Sequence, residues 1–227
     1  MTNFIIKIVS DTVCPWCYVG KKRLDKAISL YRAAHPESAS IDSFSITWLP
    51  FYLNPDAPRQ GVDKQAYIEQ RLGAERARMV HARLAQAGQA EGIAFKFGGR
   101  TGNTRDSHRL IHLARAKTEA KGGDGQALQT RVVEELFASY FENEGDITSH
   151  DMLTAAAVKA GLDEKEVREW LATDEGGHEV DVEVLRAQRK FISGVPHFTI
   201  QGKYTLEGAE DPEAFLEVFE KVKKESA

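Results

Sequence analysis

The sequence predicts an α/β fold that is interrupted by a large all-helical insertion. Three observations support this prediction. A β-branched apolar run near the start leads into a helical pattern, strand-type patterns return near the end of the chain, and the long segment between them has helical periodicity. The chain has 227 residues, of which 42% are hydrophobic, so it is long enough to bury a sizeable core.

The first elements are a strand and a helix. Residues 4–9 form a β-branched apolar run of strand length, and residues 10–13 separate this run from a helical pattern. Apolar side chains repeat at helical spacing up to Tyr31, and Pro36 marks the end of the pattern. We therefore expect a helix that begins at or near Cys14.

A second strand and a long helical segment follow. The strand is predicted over residues 44–53, where apolar and polar positions alternate before an apolar continuation. From residue 63 to residue 191 the pattern is helical throughout, and we expect five or six helices there. The predicted breaks fall at residues 88–92, 97–103, 122–125, 144–149 and 161–163. The clearest helix covers residues 128–141, whose apolar stripe is wide enough to be buried on most sides.

Strand patterns return at the end of the chain. Residues 197–201 and 204–206 are separated by a Gly-Lys pair and are predicted to form a hairpin. A last helix follows at once, because Asp211 can cap its N-terminus and Pro212 suits its first position.

The composition excludes several classes of protein. The net charge is -4 with 28% charged residues, which excludes a disordered tail and gives no electrostatic reason to expect nucleic acid as a partner. No apolar run approaches the roughly 18 residues of a membrane span. The first residues also lack the basic start and cleavage site of a signal peptide. We therefore expect a cytoplasmic protein with neither a membrane nor a nucleic acid among its partners.

The chain has two cysteines, Cys14 and Cys17. A bridge between them would close a loop so short that it would remove little entropy from the unfolded chain, so the pair is better explained by chemistry than by stability. At the start of a helix, unpaired N–H groups favour an anion and lower the pKa of a thiol. We predict that Cys14 is the exposed nucleophile and that Cys17 resolves the mixed disulfide, while Pro15 supports the turn.

Three segments carry a resemblance to a known family: residues 10–20 (SDTVCPWCYVG), residues 193–198 (SGVPHF) and residues 206–209 (LEGA). Together they resemble the DsbA-like thioredoxin-fold family, and specifically its FrnE-type branch. The resemblance covers the whole chain. It implies a thioredoxin fold whose large all-helical insertion lies between the second strand and the C-terminal hairpin. The thioredoxin-like domain would then consist of residues 1–60 and 180–227, and the insertion of residues 61–179.

The same resemblance implies that a second segment, around Pro196, contributes to the site. In that family the proline that corresponds to Pro196 is cis and faces the cysteine pair, which would place it beside Cys14. The backbone of Val195 would then be free to pair with an extended segment of substrate. Without the cysteines, the same letters would indicate an ordinary turn that enters a strand.

Three further residues are candidates for the site. Asp11 could accept or relay a proton, and the FrnE-type resemblance includes an acidic residue there, but it could equally cap N–H groups of the loop. Trp16 could form an apolar rim for substrate or pack against the insertion. His108 lies in a segment, residues 103–110, that resembles the start of a helix near the active site of FrnE-type proteins. It could line the substrate cleft, although helix capping explains the same segment.

Metal and nucleotide sites are not expected. His108 and His112 are one helical turn apart and could share a metal ion, with Asp106 and His81 as further candidate ligands. The sequence around them does not have the HExxH arrangement of a zinc site. The glycine-rich residues 98–102 lack the spacing of a nucleotide loop and are predicted to connect two helices.

The leading hypothesis is that the protein is a thiol–disulfide oxidoreductase with no tightly bound cofactor. Its partners would be a disulfide-containing protein or a small thiol, with glutathione as a candidate redox partner. One alternative is a glutathione-linked isomerase or transferase of the kappa or 2-hydroxychromene-2-carboxylate isomerase type, although those relatives usually have serine where Cys14 stands. Another is a pair of protomers that share zinc or an iron–sulfur cluster between their cysteines.

Overall fold

The computed structural model describes residues 1–120 and 125–226. In chain order its elements are β1 (Asn3–Ser10), α1 (Pro15–Ala34), β2 (Ser43–Pro50), β3 (Val62–Asp63), α2 (Lys64–Leu72), α3 (Ala74–Ala90), β4 (Arg100–Thr101), α4 (Arg105–Ala120), α5 (Gly125–Phe137), α6 (His150–Ala160), α7 (Glu164–Ala172), α8 (Gly177–Arg189), β5 (His197–Ile200), β6 (Tyr204–Glu207) and α9 (Pro212–Glu225). A π-helical turn, Ala138–Glu142, continues α5.

The main sheet has the strand order β2-β1-β5-β6. Strand β1 is parallel to β2 and antiparallel to β5, and β5 and β6 form the C-terminal hairpin. Ile8 of β1 therefore lies between Trp48 on one side and Phe198 on the other. This architecture confirms the predicted α/β fold with an interrupting set of helices, because the two ends of the chain build one sheet and the helices of the middle segment lie between them in sequence.

One face of β1 packs against the first and last helices. Phe4, Ile6 and Ile8 are buried in alternation with exposed residues, as the period of a strand requires. The ring of Phe4 lies 5.0 Å from that of Tyr31 on α1 and 5.2 Å from that of Phe219 on α9. This aromatic cluster fixes α1 against the sheet and so fixes the position of the cysteines at its start.

The segment between the two ends packs on α1 through aromatic side chains. Helix α5 and its π-helical turn contain the predicted stripe, of which Phe137 and Phe141 are buried. Their rings lie 5.1 Å and 6.1 Å from the ring of Tyr18 on α1. The Tyr18 hydroxyl also donates a hydrogen bond of 2.6 Å to Glu142. The helix that the periodicity predicted most clearly is therefore the one that contacts the cysteine-bearing helix.

The expected number of helices was wrong. Among the described residues between 63 and 191 there are seven, α2 to α8. The periodicity of residues 64–90 continues across Gly73, whose positive φ of +81° separates α2 from α3 with a single residue. The break at residues 173–176 between α7 and α8 was also missed, although Asp174 and the Gly176-Gly177 pair are turn signals and Gly176 has a φ of +72°. Of the break predicted at residues 122–125, residues 122–124 lie outside the described part of the chain.

Residues 98–102 are not a simple connector between helices. Arg100 and Thr101 form β4, which pairs with Asp63 and Val62 of β3. Each strand has two residues, too few for any alternation of apolar and polar positions to predict them.

The predicted cap of the last helix is also different. Helix α9 begins at Pro212 as expected, but the Asp211 side chain makes no capping hydrogen bond. Its carboxylate lies 2.8 Å from the guanidinium of Arg23 on α1 instead. An ion pair between the two helices has therefore taken the place of the cap.

The domain boundaries proposed from sequence stay a prediction. Helix α8 runs across residue 180, where the second boundary was placed. In the part of the chain that the structure describes, no helix combines the length and the apolar character that a membrane span needs.

Candidate active site

The cysteines lie where β1 leaves the sheet and α1 begins. Cys14 occupies the position before the helix, with an extended backbone, and its N–H donates to the carbonyl of Asp11 at 3.1 Å. The N–H of Cys17 in turn donates to the carbonyl of Cys14 at 3.0 Å. Pro15 is the first helical residue, where its missing N–H removes no hydrogen bond. The prediction that the helix begins at or near Cys14 is confirmed.

Both cysteines are thiols, and both are buried. The exposed fraction is 4% for Cys14 and 1% for Cys17. The prediction that Cys14 is exposed was wrong, because the segment before β5 lies over its sulfur. The Sγ atom of Cys14 donates to the carbonyl oxygen of Val195 at 3.5 Å.

The Val195–Pro196 peptide bond is cis, and Pro196 lies against α1. A Cβ atom at Gly20 would come within 3.1 Å of both Pro196 Cγ and Phe198 Cζ. The absence of a side chain at this helical position therefore allows the segment before β5 to reach the start of α1. The structure brings together Cys14, Val195 and Pro196 as the resemblance implied.

Cys17 is the deeper of the two thiols. Burial raises its pKa well above the ordinary value, and its hydrogen bond and charge interaction with Cys14 raise it further. The Ser10 hydroxyl and the backbone of Asp11 oppose this effect. Cys17 is therefore protonated at neutral pH. The sequence analysis did not predict the contact of Ser10 with Cys17, because it assigned Ser10 only to the end of the first strand. No local sequence pattern indicates this contact.

The Asp11 side chain is held from two directions. One carboxylate oxygen accepts from the N–H of Leu53 at 2.8 Å, and the other lies 3.3 Å from Nε2 of His108. The same nitrogen is 3.0 Å from the carbonyl oxygen of Phe51. Because the Phe51 carbonyl is an acceptor, Nε2 of His108 carries a proton. Asp11 thus connects the cysteine turn to the end of β2 and to α4.

These contacts show where Asp11 and His108, two candidate site residues, lie relative to the cysteines. The N–H group of Leu53 is 42 residues away from Asp11 in sequence, so this bond is not the local capping of loop N–H groups that was the alternative for Asp11. His108 has an exposed fraction of 3% and lies behind the turn, in contact with Asp11. A proton-transfer role for Asp11 and a substrate-binding role for His108 both stay predictions.

Trp16 lines a groove beside the cysteines. The groove has a volume of about 640 Å³ and is bordered by Trp16, Val195, Arg83 of α3 and residues 207–211. The guanidinium of Arg83 lies 5.2 Å from the Trp16 ring, so the tryptophan also contacts the middle segment. This contact is the packing against the insertion that was one alternative for Trp16, and its role as a rim for substrate stays a prediction.

The histidines considered for a metal are engaged elsewhere. The ring of His81 stacks on that of Phe97 at 4.2 Å, and Asp106 pairs with Arg109 and His150. No group of three or more His, Cys, Asp or Glu residues in residues 1–120 and 125–226 is placed to hold a metal ion.

Comparison with known proteins agrees with this geometry. The model of the DSBA-like thioredoxin domain family matches residues 5–220. The uncharacterised protein YwbO of Bacillus subtilis is 26% identical over 218 residues, which are 95% of this chain and 94% of that protein.

Two solved structures share the fold. A probable DsbA oxidoreductase from Streptomyces coelicolor is 28% identical with a TM-score of 0.81, covering 98% of this chain and 91% of that one. A 2-hydroxychromene-2-carboxylate isomerase is 14% identical with a TM-score of 0.66, covering 98% and 97% of the two chains. The chain therefore belongs to the DSBA-like thioredoxin domain family, a family of thiol–disulfide oxidoreductases, which confirms the predicted thioredoxin fold.

Proposed function

We propose that this protein is a dithiol–disulfide oxidoreductase in which Cys14 is the nucleophile and Cys17 is the resolving thiol. The observation that carries this proposal is the position of Cys14. Its sulfur lies at the N-terminal end of α1 and contacts the backbone of Val195, a residue that also lines the groove of about 640 Å³ at Trp16. The N-terminal end of a helix is a common position for a reactive cysteine.

The reaction has two exchange steps. In the first, the Cys14 thiolate attacks one sulfur of a substrate disulfide, forms a mixed disulfide and releases the other substrate sulfur as a thiolate. In the second, Cys17 loses its proton and attacks Cys14 Sγ. The Cys14–Cys17 disulfide forms, and the second substrate sulfur leaves as a thiolate. Two electrons pass from the dithiol to the substrate, and the reverse sequence oxidises a substrate dithiol.

The second step requires a proton acceptor, because burial and Cys14 raise the pKa of Cys17. Asp11 is our candidate for this role. Its backbone contacts the Cys17 thiol, and its carboxylate is fixed by Leu53 and His108. In this proposal His108 acts as a positioning residue rather than as a contact for substrate.

The substrate docks in the groove at Trp16. The backbone of Val195 pairs with an extended segment, Pro196 shapes the approach to Cys14, and Pro15 and Trp16 form the rim. A disulfide-containing protein or a small disulfide fits this arrangement, and glutathione is the candidate thiol that returns the protein to its reduced state. No tightly bound cofactor enters the reaction, since both electrons are carried by the two sulfurs.

Single cysteine variants test the proposal. Cys14→Ser should abolish the reduction of insulin by glutathione, because no sulfur can attack. Cys17→Ser should form a mixed disulfide through Cys14 and fail to release it, which intact-mass measurement detects. The double variant Cys14→Ser/Cys17→Ser is the control for non-specific adducts. Normal insulin reduction by either single variant would refute the dithiol mechanism.

The same variants distinguish the alternative function. A glutathione-linked isomerase or transferase acting on a small molecule needs a single residue at the position of Cys14 and has no use for a resolving thiol. Glutathione-dependent turnover of a small electrophile at the wild-type rate by Cys17→Ser would favour that alternative. Accumulation of the mixed disulfide in the same variant would favour the oxidoreductase.

A further inference from the structure

A second cavity lies beside the turn that carries Cys14. Its volume is about 320 Å³, and its walls come from that turn, through Asp11 and Val13, and from α2, through Tyr67, Ile68 and Arg71. None of its described lining residues also lines the groove at Trp16 and Val195. The dithiol reaction as proposed shares one lining residue with it, Asp11, but docks no substrate there.

Two polar side chains at this cavity, Tyr67 and Arg71, have N–H or O–H groups that no described acceptor takes up. The Tyr67 oxygen accepts a hydrogen bond from the side-chain amide of Asn54 and another, of 3.0 Å, from the guanidinium of Arg71. A phenol has one proton, and within the described residues that proton has no acceptor. The exposed guanidinium of Arg71 lies 5.6 Å from the centre of the Tyr67 ring on the same helix, and no described carboxylate is within salt-bridge distance of it. Two adjacent donors, one of them cationic, are complementary to an anion.

The other side chains that line the cavity are apolar or already have hydrogen-bond partners. Val13, Ile68 and Leu72 contribute apolar walls, and Leu72 and Leu53 are partly exposed there, at 39% and 45%. The Asp11 carboxylate is occupied by Leu53 and His108, as described above. The Tyr140 hydroxyl donates to Thr101 at 2.8 Å. A ligand would therefore find one polar corner, at Tyr67 and Arg71, and an apolar surface next to it.

We propose that this cavity binds a small amphiphilic organic acid, with its carboxylate or sulfonate on Arg71 and Tyr67 and its apolar body between Val13 and Ile68. The volume lies at the lower end of the range for small-molecule sites, which suits a body of one or two rings. The buried Asp11 carboxylate at the inner end repels an anion, so the acid group takes the outer position. This inference does not depend on the dithiol reaction.

A matched pair of fluorescent probes tests the site. 8-Anilinonaphthalene-1-sulfonate carries an apolar double ring and an anion, and N-phenyl-1-naphthylamine is its neutral counterpart. We expect saturable binding of the sulfonate at one site per chain. Arg71→Gln and Tyr67→Phe should each weaken it by roughly tenfold, as loss of a charge-assisted hydrogen bond does. Binding of the neutral probe should change little. Arg76→Gln, an exposed arginine of α3 outside the cavity, is the control.

A cavity-filling variant completes the test. Ile68→Trp should abolish the binding of both probes, while Cys14→Ser should leave it unchanged because the site is separate from the dithiol. Unfolding temperatures of all variants verify that they are folded, since the sulfonate also binds loosely packed chains. Absence of saturable binding to the wild type would overturn the proposal, as would equal binding by Arg71→Gln or by Ile68→Trp.

Discussion

The thiol of Cys14 donates a hydrogen bond to the carbonyl oxygen of Val195, a residue 181 positions further along the chain. This contact is possible when the sulfur is protonated. Once Cys14 is a thiolate it has no proton to donate, and the carbonyl of Val195 becomes available to an N–H group of a substrate. In the mechanism that we propose, ionisation of Cys14 would therefore also free the carbonyl of Val195 for a substrate.

We expect the two thiols to react in a fixed order. Iodoacetamide at pH 7.5 should modify Cys14 first, because burial and Cys14 raise the pKa of Cys17 and keep it protonated. Mass spectrometry should show one adduct on the native protein and a second after unfolding in urea. Native Cys14→Ser should remain unmodified under the same conditions. A first adduct on Cys17 would contradict the assignment of roles.

Removal of the His108 side chain should destabilise the cysteine turn. His108→Ala leaves the carbonyl of Phe51 without its described side-chain donor and one oxygen of Asp11 without a partner. Loss of a buried hydrogen-bond partner costs about 1–3 kcal/mol in free energy of unfolding. His108→Gln retains an N–H donor and should recover part of that loss. Urea unfolding measures both, and equal stability of His108→Ala and the wild type would show that the contact is dispensable.

A side chain at Gly20 should separate α1 from the segment before β5. Gly20→Val introduces branches against Pro196 and Phe198, and crowding of this kind costs about 1–3 kcal/mol. The variant should unfold at lower urea concentration and reduce insulin more slowly. Gly194→Ala is the control for stability, because a Cβ atom there would meet no atom within 4 Å. If both variants unfold like the wild type, the close approach at Gly20 is not a constraint.

Lys64 should make stability depend on pH in the alkaline range. Burial lowers its pKa to about 8, although Glu144 opposes the shift, and its Nζ donates to the carbonyl of Tyr140 at 3.1 Å. Between pH 8 and about 10.4 the unfolded chain holds this proton and the folded chain does not, so the contribution of Lys64 to stability rises with pH.

The measurement is a comparison of variants across that range. The free energy of unfolding of the wild type should increase relative to that of Lys64→Met from pH 8 to pH 10. Lys165→Met removes an exposed lysine and should show no such trend. A constant difference between the wild type and Lys64→Met would mean that the lysine is not shifted.

Local signals explain which elements the sequence could predict. The β-branched run of β1, the helix start at Cys14 and the Gly-Lys turn of the hairpin each depend on residues close in sequence. The placement of Val195 beside Cys14 depends on sheet order, and it was available from a family resemblance rather than from any periodicity. Strands β3 and β4 each contribute two residues to their pairing, which is too short for a strand pattern in the sequence.

The burial of Cys14 shows the limit of the same reasoning within the site. Its position at a helix start predicted a reactive thiol. Its exposure, however, depends on which other segments of the chain pack against the start of that helix. The contact of Ser10 on β1 with Cys17 on α1 is of the same kind, since it is set by packing between two elements. A motif can thus name the reacting atoms and still leave their surroundings undetermined.

The order of the elements has a consequence for biosynthesis. The turn with Cys14 and Cys17 leaves the ribosome early, whereas β5 and the carbonyl of Val195 follow the entire middle segment. During most of translation the nascent cysteines therefore have no docking backbone beside them and no cover over the outer sulfur. In the mechanism that we propose, the complete site would therefore form late, when the final hairpin joins the sheet.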